Sequence, residues 1–304
     1  MRNVSSIALS LALLGCNGSS ENPDTGASGL CDGGGGEEIL VSSGIRFARA
    51  ADGISDGFDL DGEVTTPGGP SGCGVADFVS PAGTPGVDNA MARMLPALEA
   101  TEAQAIEALV HASVNSGDLL FVWRLSDLED PWNDPCVRLE LFRGKGVPLV
   151  GNDGRLLPGQ TIALDPDIPP VEVAATLTEG VLEARDMAIH LPIQIFQAFI
   201  EFDLIHTQVR FRRADTETLT VDRFGTTTVM PEGSFAGLFG GGVATSTLQA
   251  IADGENVDGA LGGLVGGLLA LNSDLEPQAD GTCAAVSVTF ETYPIPAFIW
   301  AEAD

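Results

Sequence analysis

From Leu119 onward the chain is built of short runs in which apolar and polar residues alternate, separated by Gly, Asp and Pro. A two-residue period places successive side chains on opposite faces of a pleated strand, and turn residues end each run before a helix can form. Such runs occupy Leu119 to Leu125, Val137 to Arg143, Gln160 to Leu164, Val171 to Leu177, Val181 to Leu191, Phe199 to Arg213 and Leu219 to Phe224. In the second, Val137, Leu139 and Leu141 alternate with Arg138 and Glu140, the pattern of a sheet with one buried and one wet face. Ile200, Phe202 and Leu204 share one parity, whereas Val209 and Phe211 share the other, so a β-bulge is expected near His206 or Thr207. Short turns such as Asn152-Asp153-Gly154 favour antiparallel connections.

The fold class read from this pattern is α+β, mainly β: an antiparallel sheet, as a sandwich or open barrel, packed with a few helices. A first strand is expected over residues 39 to 49 and a last one over Ala284 to Glu291. Helical periodicity runs from Met91 to Asn115, with Pro96 dividing it. Thr101 and Gln104 form a capping box for a second helix from Glu102, which Gly117 ends. Two further helices are expected at about Thr245 to Ala252 and Gly259 to Leu271. The GGLVGG stretch of the last permits close helix packing, but its apolar run is too short to span a bilayer.

The N-terminus carries Arg2 and then the apolar run Ile7 to Leu14, the layout of an export signal. It ends at Leu13-Leu14-Gly15-Cys16, which resembles the lipobox of bacterial lipoproteins. The resemblance implies removal of residues 1 to 15 as a signal peptide and acylation of Cys16, the chain's contact with a membrane. Asn17 is not the aspartate that retains such lipoproteins at the inner membrane, so the resemblance implies an outer-membrane location, facing the periplasm or the cell surface. An ordinary signal peptide with a chance cysteine is the alternative. Residues 16 to 38 are Gly, Ser and acid with few apolar side chains, a flexible tether reaching on the order of 25 Å. Residues 39 to 304 then form a single folded domain, with helical insertions near 89–115 and 244–271. The run DLDG, the stretch CGVADFVSPAGTPGVDNAMARMLP and the late DGTC resemble uncharacterised exported bacterial lipoproteins, a resemblance that implies no activity.

With Cys16 acylated, Cys31, Cys73, Cys136 and Cys283 remain, an even number in a chain bound for an oxidising compartment. Two disulfides are expected, and three connectivities are open. Zinc is the alternative, but C-x-x-C is absent and His111, His190 and His206 are far apart in sequence.

The chain has 43 Asp and Glu against 14 Lys and Arg, a formal charge of -29, with Lys145 its single lysine. Such a field repels phosphate backbones and excludes nucleic acid as a partner. Solubility alone accounts for the surplus unless some acids converge. They are densest in DGISDGFDLDGE, where Asp52, Asp56, Asp59, Asp61 and Glu63 are separated by glycines that let hard oxygens turn towards one point. Calcium is the expected ion, with Asp77, Asp88 or Asn89 completing the set from a distance. The EF-hand spacing fails because Ile54 falls at a ligand place. The alternative is a solvated loop of Asx turns. Asp253, Glu255, Asp258, Asp274 and Asp280 read as helix caps and turns.

The G-x-S-x-G elbow, the H-E-x-x-H helix and the phosphate-binding glycine loop are all absent from the sequence. Glu179 with Glu183, or Glu140 with Asp203, are the carboxylate pairs a glycosidase-like reaction would draw on. Trp132 reads as a loop anchor. The sequence therefore favours a non-catalytic binding or structural lipoprotein, stabilised by calcium, with a protein or small molecule as its partner. A secreted carboxylate-dependent hydrolase and a carrier of an apolar ligand are the alternatives.

Overall fold

The computed structural model describes residues 30–31, 35–69, 71–100, 106–195, 198–214, 218–221, 227–254 and 260–300. The signal peptide, Cys16, most of the tether, Glu255, Asp258 and the Thr101–Gln104 capping box lie outside them.

The main strands are β1 (Gly36–Phe47), β6 (Phe121–Leu128), β7 (Asp134–Lys145), β9 (Val171–Thr178), β10 (Val181–Ile195), β11 (Ala198–Arg213), β14 (Phe235–Ala244) and β16 (Cys283–Trp300). Each pairs antiparallel with its neighbour in that order, and β16 pairs back onto β1. The expected sandwich or open barrel is thus a barrel, and it is closed. Its strands follow one another in chain order, an up-and-down meander that leaves no exposed sheet edge. A register shift between Ser42 and Ile45 of β1 accompanies closure, with Leu40 paired to Trp123 on one side and Pro296 on the other.

The remaining strands are short and sit around this barrel. They are β2 (Ala50–Ala51), β3 (Ile54–Ser55), β4 (Phe78–Val79), β5 (Pro85–Val87), β8 (Gln160–Leu164), β12 (Thr218–Val221), β13 (Thr227–Met230) and β15 (Leu275–Pro277). The first four form a small sheet of their own, so the stretch from Asp52 to Asn89 is more ordered than its Gly and Pro content indicates. β8 runs parallel to the end of β16.

An eight-stranded barrel is about wide enough for side chains to fill it. Here they do so: Trp123 lies edge-on to Phe211 with centroids 5.1 Å apart, and Phe239 stacks on Phe290 at 5.0 Å. Leu125, Leu139 and Leu141 are fully buried beside them. The indole N–H donates to Ser42 Oγ at 3.0 Å, and Thr292 donates to the same oxygen at 2.9 Å. Trp123, Ser42 and Thr292 are thereby paired with one another inside the barrel, as the low dielectric demands. Facing outward, Arg124 pairs with Glu140, and Arg138 with Asp127.

Glycine gives β14 its shape. A Cβ on Gly237 would stand 2.1 Å from the Arg210 carbonyl oxygen and 2.7 Å from the Phe211 Cα, so β11 and β14 approach this closely only over glycine.

Helices α1 (Met91–Glu99), α2 (Ile106–Ser116), α3 (Thr245–Gly254) and α4 (Ala260–Asn272) pack around the barrel. α2 packs on β1 and β10, α1 on β16 and α4, and α3 on α4, β11, β14 and β16. Pro96 does not divide the first helical stretch as expected. It lies inside α1, which ends at Glu99. Arg49 ties the two helices by donating to Glu99 at 2.7 Å and to Glu107 at 2.8 Å. Gly117 takes φ of 90° just beyond α2, the left-handed position a helix end favours.

The cysteines pair as Cys31–Cys136 and Cys73–Cys283, spanning 105 and 210 residues. The first fixes the segment before β1 to the start of β7, so any free tether ends before residue 31. The second fixes the small sheet to the start of β16.

Candidate functional site

The acidic loop lies on the outer wall of the barrel between β3 and β5. Its local sequence Phe58-Asp59-Leu60-Asp61 alternates, and the apolar members pack down with Leu275, Ala285, Ile205 and Leu238. Phe58 bridges to Asp88 through the Asp88 N–H and Phe58 carbonyl at 2.8 Å. Gly57 is required by close approach, since a Cβ there would meet Val87 at 2.8 Å and Thr289 Oγ1 at 3.0 Å. From β11, Arg210 donates to the Gly57 carbonyl at 3.0 Å and Gln208 to the Asp59 carbonyl at 2.7 Å. The loop is therefore held by the barrel rather than by its own turns alone.

Three carboxylates converge there: Asp59, Asp61 and Asp88 each place an oxygen within 4.8 Å of the others. Two oxygens bound on opposite sides of one calcium ion, each about 2.4 Å from it, are about that far apart. Asp59 and Asp61 are exposed, whereas Asp88 is buried and accepts from the Leu60 N–H at 2.6 Å. Asp77 stands near them, accepting from the Thr65 N–H at 2.5 Å, and its charge bears on Asp88. Thr65 is itself buried, and its hydroxyl oxygen has no partner within the protein.

Of the five acidic residues singled out in the loop, only Asp59 and Asp61 enter this group, and of the three distant candidates Asp88 joins them. Asp52 occupies the tip of the β2–β3 turn with φ of 53° and is exposed. Asp56 is exposed and contributes its backbone carbonyl to Asn89 and Ser55. Glu63 is exposed, and its N–H donates to Asp61 at 2.8 Å. Asn89 is spent on structure, donating to Ser55 Oγ and Ala48 and accepting from the Thr289 N–H.

Electrostatically the group is unfavourable as it stands. Burial pushes the Asp88 carboxyl up to about 8, and the charges of Asp61, Asp274 and Asp77 add to the effect. Asp61 and Asp77 are also raised, in each case chiefly by burial. Asp274 does more than end a helix: it is almost fully buried, accepts from both the N–H and the hydroxyl of Ser287, and is still raised to about 6 by burial. Arg93, over the Phe78 ring at 3.9 Å, is the cation whose charge lowers Asp274. By contrast, Asp280 caps its own turn through Thr282, and Asp253 accepts from Gln249.

Of the carboxylates considered for hydrolysis, Glu140 is held by Arg124, and Asp203 by His190. Glu179 closes the β9–β10 turn with its N–H on Asn133, and Glu183 is exposed on the β10 wall. Trp132 anchors that same turn: the Gly180 N–H donates to its carbonyl, and its ring lies against Gly180. Two histidines pair with acids on the barrel wall, His190 with Asp203 and His206 with Glu276. Among the described residues, no helix is long and apolar enough to cross a membrane. Comparison with protein families, curated protein sequences and solved structures finds no match to this chain.

Proposed function

We propose that the chain is an exported, lipid-anchored outer-membrane protein whose barrel is a non-catalytic binding or structural module stabilised by calcium. The observation that carries this reading is the convergence of Asp59, Asp61 and Asp88 around one ion-sized point. A buried carboxyl raised by acidic neighbours is a cost that a divalent cation removes, because the ion favours the charged form of every ligand at once. Asp77 and the Thr65 hydroxyl supply the next oxygens, and water completes a shell of hard ligands. The lipobox at Cys16 and the even cysteine count support export.

The other two readings have less behind them. The buried carboxylates with raised pKa, Asp88 and Asp274, are committed to Leu60 and Ser287. Aromatic and leucine side chains pack the barrel interior and leave it no room for an apolar ligand.

Titration calorimetry of the intact protein with calcium tests the proposal. One saturable site is expected, with affinity at least ten-fold weaker in Asp88→Asn and Asp61→Asn, and unchanged in Asp280→Asn. Absence of saturable binding, or equal affinity in all three variants, contradicts it. Mass spectrometry of the mature protein tests the anchor: a chain beginning at an acylated Cys16 is expected, and an unmodified N-terminus elsewhere overturns it.

A further inference from the structure

A second place on the barrel wall has the makings of a ligand site. A groove of about 500 Å³ runs between β10, β11, β14, β15 and β16, with Asp186, His206, Glu276 and Gln278 as its polar lining and Met187 and Ala244 among its apolar lining. Its volume is in the range of small-molecule sites, and so is its make-up of apolar walls with a few polar groups. Three of the polar residues come from three different strands, and each holds a left-handed backbone: φ is 58° at Asp186, 52° at His206 and 61° at Glu276. Sheet register breaks beside two of them, between Ala184 and Met187 on β10 and between Ile205 and Gln208 on β11. Bulges of this kind re-aim side chains, and non-glycine residues in this region persist only where surrounding structure holds them.

The chemistry of the groove follows from its donors and acceptors. His206 Nε2 lies 2.9 Å from Glu276 Oε1. In the tautomer that donates the Nε2 proton to that carboxylate, Nδ1 is left as an acceptor. Gln278 donates one amide N–H to the Glu276 carbonyl at 2.9 Å, leaving its side-chain oxygen and a second N–H. Asp186 adds a carboxylate. The groove thus offers acceptor atoms from four side chains, two of them carboxylates, so the ligand that complements it best is a cation rich in N–H donors with a short apolar body. The frame is rigid on the β15 side: Leu275 and Pro277 pair with Ala285 and Cys283, and Cys283 is bonded to Cys73. We propose that this groove binds a small organic cation of the alkylguanidinium or primary alkylammonium class. The proposal extends the binding role named above but does not depend on the calcium site.

The test uses the intact protein and n-propylguanidinium, followed by calorimetry and by the imidazole resonances of its three histidines. Two probes separate specific recognition from attraction to an acidic surface: propyltrimethylammonium has the charge without N–H donors, and n-propylurea has the donors without the charge. Saturable binding of one guanidinium per chain is expected, with the His206 resonance moving, and at least ten-fold weaker binding of both control probes. Glu276→Gln and Asp186→Asn, both at exposed side chains, are expected to weaken guanidinium binding at least ten-fold, whereas Asp52→Asn, in neither site, leaves it unchanged. Equal affinity for all three probes, no saturable binding, or undiminished binding in the groove variants overturns the proposal. The selectivity among probes is read on the unaltered protein, so it stands even where a variant folds poorly. Titrations in chelator and in calcium separate the two sites: loss of guanidinium binding leaves the calcium reading intact, and the reverse holds.

Discussion

At Asp88 a single side chain gathers most of the local electrostatic cost. Its carboxyl is raised to about 8 in the folded protein and that of Asp274 to about 6, both from an ordinary value of 3.8. The folded state therefore holds protons that the unfolded state has already released across this interval. Stability of the calcium-free protein is full below about pH 4 with respect to these groups and is lost as pH rises through 6 and 8. Thermal melts in chelator are expected to show a falling melting temperature over that window, with a shallower fall in Asp88→Asn; a rise instead would refute the assignment. Gly237 tests packing at the same scale. Gly237→Ala forces a methyl group into the Arg210 carbonyl and the Phe211 Cα, and a loss of about 1–3 kcal/mol is expected from denaturant unfolding. A neutral result would mean that β11 and β14 are less closely apposed than described.

Elements follow from residues wherever a strand has one wet and one buried face. β7, with Val137, Leu139 and Leu141 inward and Arg138 and Glu140 outward, is legible in the sequence for that reason, as is β8 over Gln160–Leu164. The parity change at His206 corresponds to a real bulge, with a left-handed residue and a register shift. Less legible are the elements whose order comes from a distant partner. β2 to β5 are two or three residues each, too short for any period, and exist because the segment is bonded through Cys73 to β16 and packed under Phe58 and Leu60. Pro96 misleads because a proline six places into a helix removes only one hydrogen bond near its start, and α1 continues to Glu99. The acidic loop shows the same division. Asp59 and Asp61 are marked by the density of acids among glycines, whereas Asp88, far along the chain, is one of three distant candidates until the Phe58 bridge brings it to them. Removing the 210-residue bridge by the Cys73→Ser, Cys283→Ser double substitution is expected to cost about 2–5 kcal/mol and to weaken calcium binding, measured by denaturant unfolding and calorimetry. Calcium affinity equal to that of the parent would show that the loop does not rely on this bridge.

For the whole molecule, a closed barrel explains both economy and restraint. Eight strands in chain order bury Trp123, Phe211, Phe239 and Phe290 inside, so binding is left to what decorates the outer wall. That wall carries the acidic loop at one place and the His206 groove at another, both anchored on β11 and on the β15–β16 hairpin. A formal charge of -29 raises the concentration of any cation near this surface and disfavours a compact state unless some acids are neutralised. Calcium at Asp59, Asp61 and Asp88 meets both conditions, and the coupling of binding to folding is its most direct signature. A ligand that binds only the folded state raises stability by mass action, by about 2.7 kcal/mol at one hundred times its dissociation constant. The decisive measurement is thermal unfolding of the intact, oxidised protein in millimolar calcium, in millimolar magnesium and in chelator. The melting temperature is expected to be raised by calcium, little changed by magnesium, and insensitive to calcium in Asp88→Asn. Identical melting in all three conditions would contradict it and return Asp59, Asp61 and Asp88 to solvated turn chemistry.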